Sequence, residues 1–334
     1  MKTKFIAAAV QAALVLWDLD KTITKAEKFV KEAAENGAEL VAMPEAFFPG
    51  YCYWTWMGEP FPYGGPFYER LYNNSVEIPG PACSRLSEMA RKNNVFLCVS
   101  VTEKEGASLY LTQLWFDKSG NLMGKHRKLR PTSVERTVWG EGDGSMMPVF
   151  DTELGRLGGL QCWEHMMPMN LQAMASMNEQ VHVAAWPSFN ADDNSIFGIE
   201  SSPRIVKYYA MSTGTYVISA TETLSQENID FLAGDDEYKK AIYKKGYGAT
   251  QIIAPNGNTI SRVIPHDEEG IAYAEIDLGV MPLTKYAIDI AGHYSKPNVV
   301  SLNFNKNPQG PVHTIGDGID YSMSYEELHD KSEK

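Results

Sequence analysis

The sequence predicts an α/β protein with mixed sheets, and three features carry that expectation. The chain opens with a strand, a helix and a second strand. Hairpin signals recur at three later places. Short apolar runs alternate with helical periodicity between residues 156 and 213. The opening unit builds a parallel pair and the hairpins build antiparallel ones, so both kinds of pairing are expected.

Taken in order, FIAAAVQ (5–11) is an apolar run of strand length. Over residues 22–36, Ile23, Ala26, Val30, Ala33 and Ala34 fall on one helical face, and Gly37 supplies the stop. ELVAMP (39–44) reads as the second strand. Residues 46–66, rich in Pro, Gly and aromatics, read as a long loop. A helix is expected over 82–93, followed by the strand VFLCVSV (95–101). The first hairpin pairs SLYLTQLWF with LMGKHRK across residues 117–121. The second joins PVFDT to RLGGLQC through a turn at 153–155, and the third sets ATQIIA against TISRVI around PNGN. Between the last two lie a helix near 167–178, the strand VHVAAW (181–186) and a helix near 203–213. No repeat, low-complexity tract or Gly/Ser linker divides residues 1–304, which read as one domain. Residues 305–334 are polar and read as an arm rather than as core.

The 334 residues are 44% hydrophobic, ample for a sizeable core. Asp and Glu outnumber Lys and Arg by 42 to 30, giving a net charge of −12. A surface of that sign repels phosphate backbones and anionic lipid, which argues against a nucleic-acid or membrane role. Cys52, Cys83, Cys98 and Cys162 are widely spaced and form no C-x-x-C pair. That is neither a disulfide framework nor a zinc-finger pattern, and it suits a reducing compartment. Lys2 and Lys4 before FIAAAVQAALVLW imitate a signal peptide. However, Gln11 interrupts the run and WDLDK stands where a small-residue cleavage site would be, so a buried first strand is the better reading. No other run approaches the roughly 18 apolar residues that span a bilayer. A cytoplasmic protein is expected.

Three segments carry the candidate chemistry. In GRLGGLQCWEHMMP a strand ends at Gln161 and helical periodicity resumes after Pro168, so Cys162 sits where a strand turns toward a helix. Backbone N–H groups and a helix dipole at such a turn lower a thiol pKa, although a free cysteine on its own is more often a small buried hydrophobe. In NLMGKHRKLRPT four cationic or titratable side chains run from Lys125 to Lys128. Such a run is usually a solvated edge. Alternation along a strand nevertheless sends His126 and Lys128 to one face and Lys125 and Arg127 to the other, and a lysine that points inward needs an anionic partner. In LVAMPEAFFPGY, Glu45 directly follows a strand and precedes Ala46, Phe47 and Phe48. Apolar surroundings raise a carboxyl pKa, which suits proton transfer near neutral pH. All three residues lie at or just past the carboxyl end of a predicted strand, where open α/β sheets bind ligands. One cleft can therefore receive base, cation and thiol together. The aromatic run YCYWTW (51–56) places Tyr51, Tyr53, Trp54 and Trp56 either on a pocket wall or in a subunit interface. Trp186, which ends a strand as the other three candidates do, points to the pocket.

MPEAFFPGY, GKHRKLRPTSVERTVWGEGDGS and LQCWEHMMP resemble the three catalytic blocks of the nitrilase superfamily, and CWEH at the cysteine resembles its nitrilase branch. FIAAAVQA, EQVHVAAWPSF and AGHYSKPNVVSLNFN extend the likeness over nearly the whole chain. The resemblance implies a four-layer αββα sandwich and a catalytic triad of Glu45, Lys128 and Cys162, with a further family glutamate at Glu135. It implies that Cys162 attacks a nitrile carbon and that Glu45 acts as general base. Lys128 and the Trp163 N–H would stabilise a thioimidate and then a thioester, while Glu135 orients the lysine. Tyr51, Trp54, Trp163, His165 and Trp186 are the candidates for substrate contact. His165 either helps partition the intermediate between acid and amide or is a buried, hydrogen-bonded core histidine.

No metal or organic cofactor is expected. The expected partners are an organic nitrile with an apolar aryl or alkyl group and, as the resemblance to the nitrilase branch implies, further copies of the chain in dimers that stack into spiral filaments, with residues 305–334 as the arm. An amidase or carbamoylase, and a cyanide-hydrolysing enzyme with which GSMMPVF and SLNFN share a look, are the neighbouring alternatives. Outside the family, a metal site on Cys162, Glu164 and His165 has a spacing that matches no common zinc pattern. A papain-like reading lacks the C-G-[SA]-C-[WY] motif.

Overall fold

The computed structural model describes residues 2–188, 195–310, 312, 315–316 and 324–325. β1 (Lys4–Gln11) leads through α1 (Leu19–Glu35) to β2 (Ala38–Ala42). α2 (Gly65–Asn73) and α3 (Pro81–Asn93) precede β3 (Phe96–Glu105), β4 (Ser108–Phe116) and β5 (Leu122–Arg127). There follow β6 (Val149–Thr152), β7 (Gly155–Gln161), α4 (Pro168–Ser176), β8 (Val181–Trp186), α5 (Ser201–Thr213) and β9 (Tyr216–Thr221). α6 (Gln226–Ala233), α7 (Glu237–Ile242), β10 (Gln251–Ile253), β11 (Gly270–Asp277) and α8 (Met281–Ala287) complete the described elements.

The strands form two sheets, ordered β11-β1-β2-β3-β4-β5 and β10-β9-β8-β7-β6. Each has a parallel centre: β1 pairs with β2 and β2 with β3 in the first, and β7 with β8 and β8 with β9 in the second. Antiparallel strands flank both centres. The two-residue period of β1 explains how the sheets stack. Ala7 and Ala9 pack with Leu157, Val183 and Ile218 of the second sheet. Ala8 and Val10 face the other way, onto Ile23, Ala26, Val30 and Ala33 of α1. On the far side, Leu160, Ala184 and Val217 pack under Leu171 and Met174 of α4 and Val206, Tyr209 and Ala210 of α5. The result is helix, sheet, sheet, helix: the four-layer sandwich.

Small residues set the distance between the sheets. A Cβ on Gly159 would lie 2.6 Å from the Val183 carbonyl and 2.8 Å from Gln113 Oε1, with the Trp115 ring 3.1 Å away. Adding that atom would overpack the contact between β7 and β4, a change that typically costs about 1–3 kcal/mol. Gly159 lies three residues before Cys162, so this contact also fixes the height at which the strand ends.

Most expected elements occur within two or three residues of their predicted limits. α1 starts earlier, at Leu19, because Asp18 caps it by accepting from the Lys21 N–H. The third hairpin is corrected. β10 is only three residues long, and TISRVI forms no strand; it meets β10 at a single bridge between Ile253 and Thr259. Residues 261–263 have no apolar face to bury, and Val263 is 79% exposed. β9, β11, α2, α6, α7 and α8 were not expected. Most of the expected arm of residues 305–334 lies outside the described residues. Its first part runs back over the body, where the Gln309 N–H donates to Asp143 Oδ2 at 2.7 Å.

Candidate active site

Glu45, Lys128 and Cys162 each follow the last residue of a strand closely: β2, β5 and β7 respectively. All three are fully buried. Lys128 Nζ donates to Glu45 Oε1 at 2.9 Å and to Glu135 Oε2 at 2.8 Å. Oxygens of Glu45 and Glu135 and the Cys162 sulfur all lie within 4.8 Å of one another. The alternation read from KHRK determines this arrangement. His126 and Lys128 turn inward, whereas Lys125 and Arg127 pair with Glu103 on the opposite face of β5.

Backbone geometry at the site is unusual. Ala46, Ser133 and Cys162 are three of the seven described non-glycine residues with positive φ, at +49°, +50° and +52°. Ala46 adjoins Glu45, Ser133 lies two residues before Glu135 and Cys162 is itself the thiol residue; a left-handed conformation costs a non-glycine residue on the order of 1–2 kcal/mol. At Cys162 it makes the sharp corner from β7 into a short 3-10 turn, Cys162–Met166. Hydrogen bonds from several elements hold the corner. The Ala46 N–H donates to Ser100 Oγ at 2.9 Å, Ser100 Oγ donates to Gln161 Oε1, and Gln161 Nε2 donates to the Leu111 carbonyl at 3.1 Å. Glu164 accepts from the Gln161 N–H at 2.9 Å and the Leu129 N–H at 2.7 Å, tying the residue before Cys162 to the residue after Lys128. Its other neighbour is His126, with Nε2 2.9 Å from Glu164 Oε2. Burial alone would raise the Glu164 carboxyl, but His126 and these N–H groups hold it below its ordinary value. Glu135 is placed by the Thr132 N–H at 2.6 Å and by the Tyr51 hydroxyl, which donates to its Oε1 at 2.7 Å.

The electrostatics follow from one cation among several acids. Burial raises Glu45 from 4.5 to about 8, and the attraction of Lys128 offsets only part of that. Glu45 Oε2 is buried and has no hydrogen-bond partner. Burial would lower the Lys128 ammonium, but Glu135 and Glu45 outweigh it and hold it well above its ordinary value. Burial and the neighbouring Glu45 push the Cys162 thiol up, while Lys128 and the Trp163 N–H that bonds the sulfur pull the other way. The expected lowering of the thiol pKa at the turn is therefore corrected: a single 3-10 turn beside two carboxyl groups does not offset complete burial.

The remaining candidates divide. Tyr51 belongs to the site through Glu135, and Trp56 Nε1 donates to its hydroxyl at 3.2 Å. Trp186 lends its carbonyl to the Glu45 N–H at 3.3 Å. Trp163 is half-buried with its ring edge-on to Phe197 at 5.2 Å, and it lines a narrow cavity with Trp186, Thr221 and Tyr247. The indole N–H groups of Trp163 and Trp186 are buried without partners. Trp54, expected on the pocket wall, is instead a core side chain packed against Trp17 at 4.8 Å and Phe67 at 6.0 Å, because the turn Tyr53–Trp56 directs it toward α2. His165 does not face the thiol. Its Nδ1 contacts the Cys162 carbonyl at 2.6 Å and its Nε2 contacts His182, while burial holds it well below its ordinary pKa. With Glu164 and His165 both engaged elsewhere, the set Cys162, Glu164 and His165 does not converge on a metal site. At Glu45, Glu135 and Cys162, where donor atoms do converge, the Lys128 ammonium already bonds both carboxyl groups.

Glu222, absent from the sequence reading, directly follows β9. Its N–H shares the Trp186 carbonyl with Glu45, Tyr53 donates to its Oε2 at 2.7 Å, and burial raises it to about 8. The strand-end argument would have found it, had β9 been recognised as a strand.

The folded chain binds a proton at Glu45 that the unfolded chain releases. This contribution to stability is complete below about pH 4.5 and fades as the pH rises through about 8. Glu45→Gln cannot ionise, so its stability relative to the unsubstituted protein should improve as the pH rises. Urea midpoints at about pH 5.5 and about pH 9 measure the change; a difference that stays constant would contradict the raised carboxyl.

The carbon-nitrogen hydrolase family model matches residues 6–286. A nitrilase of Bacillus sp. (strain OxB-1) is 51% identical over 97% of this chain and 95% of its own length. An aliphatic nitrilase of Rhodococcus rhodochrous is 43% identical over 93% of this chain and 85% of its own. Among solved structures, the C. elegans NitFhit protein matches with a TM-score of 0.71 at 18% identity, over 93% of this chain and 69% of that one. An amidase from Nesterenkonia sp. matches at 0.62 and 18%, over 84% and 94%. At those identities the solved structures bear on the fold alone, and they share the sandwich described above. The chain belongs to the carbon–nitrogen hydrolase family, in its nitrilase branch.

Proposed function

We propose that the protein hydrolyses an organic nitrile to the carboxylic acid and ammonia, with Cys162 as nucleophile. One observation carries the reading: a thiol, a carboxyl raised to about 8 and an ammonium, from three strand ends, meet at one buried point. Glu45 takes the thiol proton as the sulfur attacks the nitrile carbon, and the proton passes to the nitrogen to give a thioimidate. Lys128 and the Trp163 N–H stabilise the charge that develops. Water adds to the thioimidate through Glu45, ammonia leaves, and a thioester remains. A second water releases the acid and restores the thiol. Two waters are consumed for each nitrile. Glu135 acts through Lys128, holding the ammonium in place.

Trp163, Trp186 and Phe197 supply an apolar, aromatic wall, which supports a nitrile carrying an aryl or alkyl group. A ring packed on such a wall gains about 0.5–1.5 kcal/mol beyond its area burial. An amide is the second substrate that the same triad serves, and the 51% identity to a protein named a nitrilase favours the nitrile.

Self-association accompanies this reading. Tyr208 and Met211 on α5 and Met166 and Met169 beside them are all more than half exposed, and this apolar face suits a second copy of the chain. Residues 305–334 extend the contact as an arm, and stacked dimers would make the spiral. All four cysteines are free and buried, which suits the cytoplasm. No helix among the described residues is long and apolar enough to cross a membrane.

Two measurements test these statements. Ammonia release from phenylacetonitrile, an aliphatic nitrile, a dinitrile, free cyanide and the matching amides should favour the organic nitriles and vanish in Cys162→Ala. On the acid side, kcat/KM should rise with an apparent pKa near 8 as Glu45 loses its proton. Preference for amides, or activity retained in Cys162→Ala, would overturn the reading; preference for cyanide would move it to the neighbouring activity. Separately, Tyr208→Glu with Met211→Glu should reduce particle size in size-exclusion chromatography, and unchanged elution would remove this face from the assembly.

A further inference from the structure

Behind the nucleophile lies a line of buried polar side chains that the reaction does not consume. His165 Nδ1 is 2.6 Å from the Cys162 carbonyl oxygen, His165 Nε2 is 2.8 Å from His182 Nε2, and His182 Nδ1 is 2.8 Å from Glu179 Oε1. Tyr209 donates to Glu179 Oε2 at 2.7 Å. All four side chains are buried. The line is built into the fold. His182 sits on β8 opposite Gly158 of β7, and a Cβ on Gly158 would collide with Glu179 Oε1. The His165 ring stacks on Trp186 at 5.3 Å, and the His182 ring packs on Tyr209 at 4.0 Å.

Counting protons gives the line a direction. A carbonyl oxygen only accepts, so His165 Nδ1 must carry the proton toward Cys162. His165 is held neutral by burial, so its Nε2 is bare and accepts from His182 Nε2. The third proton lies in the contact between His182 Nδ1 and Glu179. The His182–His165 and His165–carbonyl bonds thus both point their donors toward the Cys162 carbonyl, and Glu179 closes the line at His182 Nδ1. That carbonyl and the Trp163 N–H are the two ends of one peptide group, and the Trp163 N–H bonds the Cys162 sulfur. A donor on the oxygen of a peptide strengthens its N–H as a donor in turn.

We propose that Glu179, His182 and His165 are positioning residues for the anion-stabilising N–H of Trp163: they fix the Cys162–Trp163 peptide in its strained turn and polarise it. The proposal rests on the nitrile-hydrolysis reading for the anion in question, but not for the geometry. It also gives CWEH a physical content, since the histidine of the motif is the last donor in the line.

The test compares His182→Leu, which interrupts the line, with Glu179→Gln. The Gln amide can donate to His182 Nδ1 while its oxygen accepts from Tyr209. Losing a whole oxyanion donor costs about 10²–10³ in rate, so a donor weakened in place should cost roughly tenfold in kcat with KM changed by less than about twofold. An aldehyde analogue of the substrate adds the Cys162 thiol across its carbonyl to give a thiohemiacetal, with oxygen at the same donor. Its affinity for His182→Leu should fall by about the same factor, and Glu179→Gln should stay within about threefold of the unsubstituted protein on both measures. Wild-type kcat and aldehyde affinity in His182→Leu would overturn the proposal. If His182→Leu does not fold, Glu179→Ala against Glu179→Gln decides: a loss confined to Ala supports the line, and equal values contradict it. If the unsubstituted protein binds the aldehyde but hydrolyses no nitrile, the substrate reading has failed, and the aldehyde comparison still judges the relay.

Discussion

A single ammonium buried between two carboxyl groups is the constraint on which the site depends. Lys128 is fully buried, and an isolated buried charge is untenable, so Glu45 and Glu135 must stay within bonding distance of it. Removing one member of such a cluster typically costs about 3–5 kcal/mol, because the others are left uncompensated. Yet one cation cannot neutralise two carboxylates and a thiolate together. The excess charge is relieved by proton retention, and Glu45, with one oxygen free of partners, is where burial raises the pKa to about 8. The group that folding obliges to keep a proton is the group that the proposed chemistry asks to exchange one.

The sandwich exists, in functional terms, to bring that cluster together. Glu45 and Lys128 come from the first sheet and Cys162 from the second. Their distances are therefore set by how closely the sheets stack. Alanines on β1 and Gly159 on β7 allow the close approach. Left-handed residues at Ala46, Ser133 and Cys162 then turn the chain sharply enough to aim the side chains at one point. That strain is retained because Glu164, Ser100 and Gln161 bond the corners from several directions. The nucleophile is rigid because its neighbours over-determine it.

Much of this was legible in the sequence where local pattern and physics coincide. The two-residue period of β5 separated His126 and Lys128 from Lys125 and Arg127, and the fold turns the first pair inward: their partners are Glu164 and Glu45 on one face and Glu103 on the other. The strand ends placed Glu45, Lys128 and Cys162 together. What escaped depends on contacts that no local window contains. β11 owes its place to β1, more than 250 residues earlier, and without β9 as a strand Glu222 had no position. Trp54 was assigned by composition, but a 3-10 turn gives adjacent aromatics different directions. The thiol pKa was judged from the turn alone, when complete burial beside acids decides it. The Glu179–His182–His165 line joins a loop, a strand and a turn across a glycine, a relation that only the folded chain displays.

The proton on Glu45 can be observed directly. Infrared difference spectra of the resting protein against Glu45→Gln, recorded across a pH titration, isolate the carbonyl band of this one carboxylic acid. The expected result is a protonated-carboxyl band present at pH 7 that disappears with a midpoint near 8. A band already lost below about pH 6 would contradict it, because Glu45 would then be an ordinary ionised partner of Lys128 rather than the proton holder of the site.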